Sequence, residues 1–195
     1  DRYAAIDLNK TVAYGNMRRT FLGWGLKDDV FLPAVAEVLK GYEQSDKPWF
    51  ATLMTTGTHH PYNISNEYAA QFSSRTHAAY HLADESIKDM MERMEQSGML
   101  ANTLVLIVGD ESRITRNRSG IPSIIGGNWG VLVIKTPENI AHVSHEYFLH
   151  PDVQTSVLDY LGLPLEGQYF RSVFREYKEF RPFMVAGGHS KRWFA

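Results

Sequence analysis

Two short polar clusters in this sequence have the composition and placement for chemistry. Thr58-His59-His60-Pro61-Tyr62 follows the apolar run Trp49 to Thr56, and Gly109-Asp110-Glu111-Ser112 follows the apolar run Thr103 to Val108. Ligands of open α/β sheets gather beyond the carboxyl ends of the strands, so both clusters stand where a site belongs. A histidine there can donate to an oxyanion, ligate a metal or act as a general acid. Histidine pairs in loops are as often simply solvated. Two adjacent carboxylates can hold a hard or borderline divalent cation whose charge offsets their repulsion. A strand-to-loop turn with solvated acids is the commoner reading of such a pair taken alone.

Three arginines, Arg113, Arg116 and Arg118, follow the acidic pair. Guanidinium grips phosphate through two parallel hydrogen bonds. A solvated basic loop accounts for the trio at least as well on general grounds. His142, His145 and His150 lie close together without the spacing of a zinc helix or finger, and read as a surface loop. His189, within Gly187-Gly188-His189-Ser190, reads as a turn residue beside glycines that permit close approach. The methionines at 90, 91, 94 and 99 read as core filler.

Alternating strands and helices must position these groups. Asp28 to Lys40 has a helical pattern, with Asp28 or Asp29 as cap, Val35, Val38 and Leu39 as apolar stripe, and Gly41 as stop. Pro33 fits only the first turn, which argues for a late start. Trp49–Thr56, Thr103–Val108 and Gly130–Ile134 read as buried strands. Thr76 to Gln96 is the longest helix, with Tyr80, Ala83, Ile87, Met90, Met91 and Met94 on its stripe and Gly98 at its end. Asp152 to Leu161 is a further helix with Asp152 as cap, and the aromatic, arginine-rich tail carries one or two strands around Phe183 to Ala186. Asp1 to Trp24 is weakly patterned and reads as loop. The alternation predicts an α/β sandwich with a mainly parallel central sheet, which puts His59 and Asp110 at the same end of it.

With 195 residues, 44% apolar and 22% charged, the chain is long enough for one ordinary domain with a substantial core. The net charge of -2 is spread along the chain, which excludes a nucleic-acid stripe or a charged tail. The absence of cysteine excludes disulfides and thiolate metal sites, so any metal is held by oxygen or imidazole. No apolar run approaches the roughly 20 residues of a membrane helix. The start at Asp1-Arg2-Tyr3, without Met or a signal peptide, suits a processed protein or an excised fragment.

Taken in order, these segments resemble lipoteichoic-acid-synthase-type phosphoglycerol or phosphoethanolamine transferases of the alkaline phosphatase/sulfatase superfamily. Trp24-Gly25-Leu26-Lys27-Asp28-Asp29-Val30-Phe31 resembles the start of a family helix. Pro48-Trp49-Phe50, a strand and Thr58-His59-His60-Pro61-Tyr62 are similar to the family strand followed by a His-x-Pro-aromatic loop. Tyr80 through Asp84-Glu85-Ser86-Ile87 resembles its central helix. Asn102 to Asp110 resembles its apolar strand ending in Gly-Asp-His, and Val153 to Gly162 a late helix ending in leucine-leucine-glycine. The likeness runs from about Gly23 to Leu163.

The resemblance implies an alkaline-phosphatase-like sandwich of which residues 1–195 form a single, partial domain, the C-terminal part of a catalytic domain. It implies His59 as catalytic group, His59, His60 and Arg113 as substrate-binding groups, and Asp110 with Glu111 as ligands of a divalent metal (Mn, Mg or Zn). Glu111 stands where the family has histidine. The family nucleophile, a threonine or serine (formylglycine in sulfatases), lies on strands upstream of the matching region, and Thr55, Thr56 and Thr58 are not at its position. The chain by itself is therefore expected to lack turnover and to be metal-free or only adventitiously loaded. The implied activity is phosphoglycerol or phosphoethanolamine transfer, or hydrolysis of phosphate or sulfate esters. Implied partners are a phospholipid headgroup, a glycan or an ester substrate, and no nucleic acid. The implied setting is the outer, periplasmic or extracellular face of the bacterial inner membrane, reached through membrane segments outside this sequence. The alternative is a non-catalytic domain of the same fold that binds a headgroup, glycan or protein.

Overall fold

A computed structural model of the chain describes residues 21–22, 25–45, 47–62, 64–110, 129–165, 170–179, 181, 185–188 and 191–194, the first and the last two of these groups for their backbone only. The chain divides into two compact units, Asp1–Thr103 and Leu104–Ala195.

In the first unit, β1 (Phe21–Leu22) pairs antiparallel with β2 (Gly25–Leu26). Helix α1 (Asp28–Glu43), the single turn α2 (Asn66–Ala69), the long α3 (Arg75–Gln96) and a 3-10 turn (Met99–Ala101) follow. Leu32, Val35, Ala36 and Leu39 recur at helical spacing and are all buried, which gives α1 one apolar face. That helix packs on α3, whose Met90 and Met94 are buried, with Met99 at the end of the layer. Burying a side chain of this size contributes about 1.5–3 kcal/mol. Arg93 reaches Glu37 across the pair at 3.6 Å, and Asn102 donates to Glu43 at 2.9 Å. A smaller cluster of Ile64, Ala78 and Ala79 collects Tyr62, Tyr68, Phe72 and Leu82 around the start of α3.

Local signals set the helix ends. Ser74 Oγ accepts the His77 N–H at 3.1 Å as N-cap of α3. Gly98, at φ 79°, takes the left-handed conformation that terminates it. Helix α1 departs from its expected form in three ways. It starts at Asp28 with Pro33 in its second turn, it runs past Gly41 to Glu43, and its N-cap is Lys27. Packing on α3 compensates for the backbone hydrogen bond that Pro33 removes. Tyr80, expected on the α3 stripe, is 47% exposed, while Ala78, Ala79 and Ser86 turn inward.

In the second unit, β3 (Val105–Val108) pairs antiparallel with β4 (Leu132–Lys135), in the register Val105↔Lys135 to Val108↔Leu132. Helix α4 (His150–Tyr160) follows, then the hairpin of β5 (Val185–Gly188) and β6 (Lys191–Phe194). Asp152 is the third residue of α4 rather than its cap. Its fully buried carboxylate accepts the Leu149 N–H at 2.6 Å, the Arg171 N–H at 2.8 Å and the Arg181 guanidinium, and so ties Arg171 and Arg181 to the helix.

All three strand pairs among the described residues are antiparallel, where a mainly parallel arrangement was expected. Trp49–Thr56, expected as a central strand, has no regular secondary structure, and its Phe50 and Met54 are 81% and 83% exposed. A strand is defined by its neighbours, and none of the described residues pairs with this run.

Candidate functional site

The His59 loop is built from its backbone outward. His59 N–H donates to the Thr56 carbonyl at 3.1 Å, Tyr62 N–H to the His59 carbonyl at 3.0 Å, and Ile64 N–H to the Tyr62 carbonyl at 2.8 Å. The His60–Pro61 peptide is cis, and Tyr62 sits at φ 54°. His59 Nδ1 lies 2.6 Å from the His60 carbonyl oxygen. A carbonyl only accepts, so Nδ1 carries the hydrogen and Nε2 bears the lone pair of the neutral ring. The His60 ring meets Tyr62 edge-on at 5.6 Å.

Both ends of this loop are anchored. Upstream, Asp28 is 2% exposed at the first turn of α1. Its Oδ1 accepts the Thr56 N–H at 3.2 Å and the Gly57 N–H at 3.1 Å, and Oδ2 accepts the Gly57 N–H at 3.2 Å. Thr56 Oγ1 donates to the Leu26 carbonyl at 3.4 Å. Burial pushes the Asp28 carboxyl above its ordinary value, the Thr56 and Gly57 amides pull it back, and neighbouring Asp29 pushes it up again. Downstream, Arg75 donates through Nε to the Tyr62 carbonyl at 3.1 Å, through Nη1 to Asn66 at 3.1 Å, and through Nη2 to the Ile64 carbonyl. Neither anchor was identified from the sequence. Asp28 read as a helix cap, and Arg75 carried no signal, because both work through contacts distant in the chain.

The Asp110 end of the second unit is fixed through Gly109. Gly109 N–H donates to the Val131 carbonyl at 2.8 Å, extending the β3–β4 ladder by one bond. The Gly109 carbonyl lies 2.9 Å from His150 Nε2. A Cβ on Gly130 would stand 2.5 Å from that carbonyl, so only glycine lets the strands approach here. His150, expected in a surface loop, is instead the first residue of α4 and a brace for the strand end. Asp110 follows immediately and is exposed. His142 and His145 are exposed, as a surface loop requires.

The structure brings His59 and His60 together on one loop and places Asp110 in the other unit. Glu111, Arg113, Arg116, Arg118 and His189 lie outside the described residues. Among the described residues no three His, Asp or Glu side chains converge as a metal centre requires, so these residues do not make a complete divalent site, and no step is derived through a metal. No helix among them is long and apolar enough to cross a membrane.

The sequence profile of the Sulfatase family matches residues 2–163, and the chain belongs to that family. It is 25% identical over 162 residues to lipoteichoic acid synthase 1 of Bacillus subtilis, a match covering 73% of this chain and 25% of that protein. It is 22% identical over 187 residues to lipoteichoic acid synthase of Staphylococcus aureus, covering 83% of this chain and 28% of that protein. The chain therefore spans about a quarter of the length of these relatives. A crystal structure of an alkaline phosphatase superfamily protein from Vibrio parahaemolyticus superposes with a TM-score of 0.75 at 13% identity, over 89% of this chain and 43% of that one. The α/β, alkaline-phosphatase-like fold expected from the sequence is the fold that this likeness shows.

Proposed function

We propose that residues 1–195 form the C-terminal part of a catalytic domain that transfers a phosphoglycerol or phosphoethanolamine group, or hydrolyses phosphate or sulfate esters, at the bacterial cell envelope. The observation that carries this reading is the His59 loop. It is anchored at both ends, and the His60 carbonyl oxygen holds His59 Nδ1 at 2.6 Å. In its imidazolium form a histidine so held suits donation to a non-bridging oxygen of the ester, or protonation of a departing oxygen. His60 and Arg113 are proposed as further contacts to the anionic substrate, and Asp110 with Glu111 as carboxylates offered to Mn, Mg or Zn. The lipoteichoic acid synthases among its relatives favour a phosphoglycerol headgroup as the substrate moiety and the outer face of the membrane as the setting.

The test is a titration of the chain with glycerol phosphate, followed by NMR of the histidine rings. The His59 ring signals are expected to move in a saturable way, with His60 moving less, and His59→Ala is expected to weaken binding at least tenfold. Equal binding by the wild-type chain and His59→Ala would remove His59 from the site.

A further inference from the structure

We propose that Asp28 is a positioning residue for His59: its buried carboxylate, clasping the Thr56 and Gly57 amides, fixes where the histidine loop leaves the body of the first unit. The inference rests on the reading of His59 as the working group of the loop.

Asp28 does not act as the helix cap its place at the start of α1 suggests, since Lys27 occupies that position. Its two oxygens instead face the backbone of residues 56 and 57, with three N–H···O contacts of 3.1–3.2 Å. Bonds from amides to a carboxylate are stronger than those between neutral groups, and this one is withdrawn from solvent at 2% exposure. The next turn of the loop begins at the Thr56 carbonyl, which accepts the His59 N–H at 3.1 Å. One residue, Thr56, thus carries both the bond to Asp28 and the bond to His59.

Gly57 supplies an independent sign that the clasp is tight. A Cβ there would stand 2.4 Å from Asp28 Oδ2 and 2.8 Å from its Cγ. The Asp28 side chain is short, buried and held by its own bonds, so it has no room to give. The position is glycine because of the carboxylate and not because of a left-handed backbone. Leu26 closes the same junction by accepting the Thr56 hydroxyl. The clasp therefore joins the β2–α1 corner to the histidine loop across 28 residues of sequence, and its reach ends at the ring that would meet the substrate.

The experiment uses the whole chain, uniformly labelled, and inorganic phosphate as probe. The Met90 and Met94 methyl signals report that the core is intact. In Asp28→Ala the Thr56 and Gly57 amide signals should move, the His59 ring signals should shift or broaden, and the phosphate response of His59 should weaken about tenfold. Gly57→Ala should reproduce all three effects by pushing the loop off an unchanged carboxylate, and it keeps the test alive if Asp28→Ala does not fold. Asp28→Asn should recover most of the wild-type response, because its single amide oxygen can still accept both N–H groups. His59 signals unchanged in Gly57→Ala and in a folded Asp28→Ala would overturn the proposal. If wild-type His59 ignores both phosphate and glycerol phosphate, the functional reading fails, while the ring signals in the variants still decide the clasp.

Discussion

A carboxylate that is 2% exposed and answered, among the described residues, by the Thr56 and Gly57 amides carries a measurable cost at neutral pH. Burial raises the Asp28 carboxyl above its ordinary 3.8, so the folded chain holds that proton more tightly than the unfolded chain does. In the window between 3.8 and the raised value, the contribution of Asp28 to stability falls as pH rises, and above the window the full cost of the buried charge is present. The stability of the wild-type chain relative to Asp28→Asn is therefore expected to decrease from pH 3.5 to pH 7 in urea denaturation series. A difference that grows with pH over that range would contradict the assignment. At this scale the sequence singled out His59, His60 and Asp110 as candidates, because each lies within a few residues of the end of an apolar run. It hid Asp28, Arg75 and His150, because a side chain that acts on distant backbone leaves no local pattern.

Each element was legible to the extent that its signals are local. The apolar spacing of α3 and the glycine at 98 predict Thr76–Gln96, and the helix runs from Arg75 to Gln96. Two of the expected strands appear as Val105–Val108 and Leu132–Lys135, each within two residues of its expected ends. Their direction was not legible, since pairing is decided by where the chain returns. Arg181 shows the same limit on α4. The Asp152 and Arg181 side chains are 0% and 9% exposed and meet as an ion pair, and Arg181 Nε is buried without a partner among the described residues. Removing one member of such a pair leaves the other charge uncompensated, at a cost of about 3–5 kcal/mol. Arg181→Ala should show a loss of that size in urea denaturation, whereas Arg175→Ala, whose bond to Asp159 is solvent-facing, should cost far less. Equal losses would mean that the tail is not tied through Asp152.

For the whole molecule, the Sulfatase family assignment and the superposition at TM-score 0.75 agree with an alkaline-phosphatase-like fold, although the chain spans only 43% of the superposed structure. One feature of the sequence pattern is not met in the structure. Trp49–Thr56 has the composition of a doubly covered strand, yet Phe50 and Met54 are largely exposed, as are Val108, Trp129, Val131 and Val133 around the β3–β4 pair. None of the backbone N–H groups of Phe50 to Thr55 donates to another backbone group among the described residues. Their amide hydrogens are therefore expected to exchange within the dead time of a hydrogen-exchange experiment, while those in the middle of α3 are retained. Slow exchange over Phe50–Thr55 would show that this run is paired in solution.

We propose that Asp110, at the end of a strand held by Gly109, Gly130 and His150, is one carboxylate offered to a divalent cation in this member of the Sulfatase family. The most direct measurement is line broadening by substoichiometric Mn in NMR spectra of the whole chain and of Asp110→Ala. A paramagnetic ion reports residues close to it even when binding is weak. The account predicts selective broadening of the signals of Val108, Gly109 and Asp110 in the wild-type chain, and its loss in Asp110→Ala while the rest of the spectrum is unchanged. Broadening of the same signals to the same extent in both proteins would contradict Asp110 as a metal ligand.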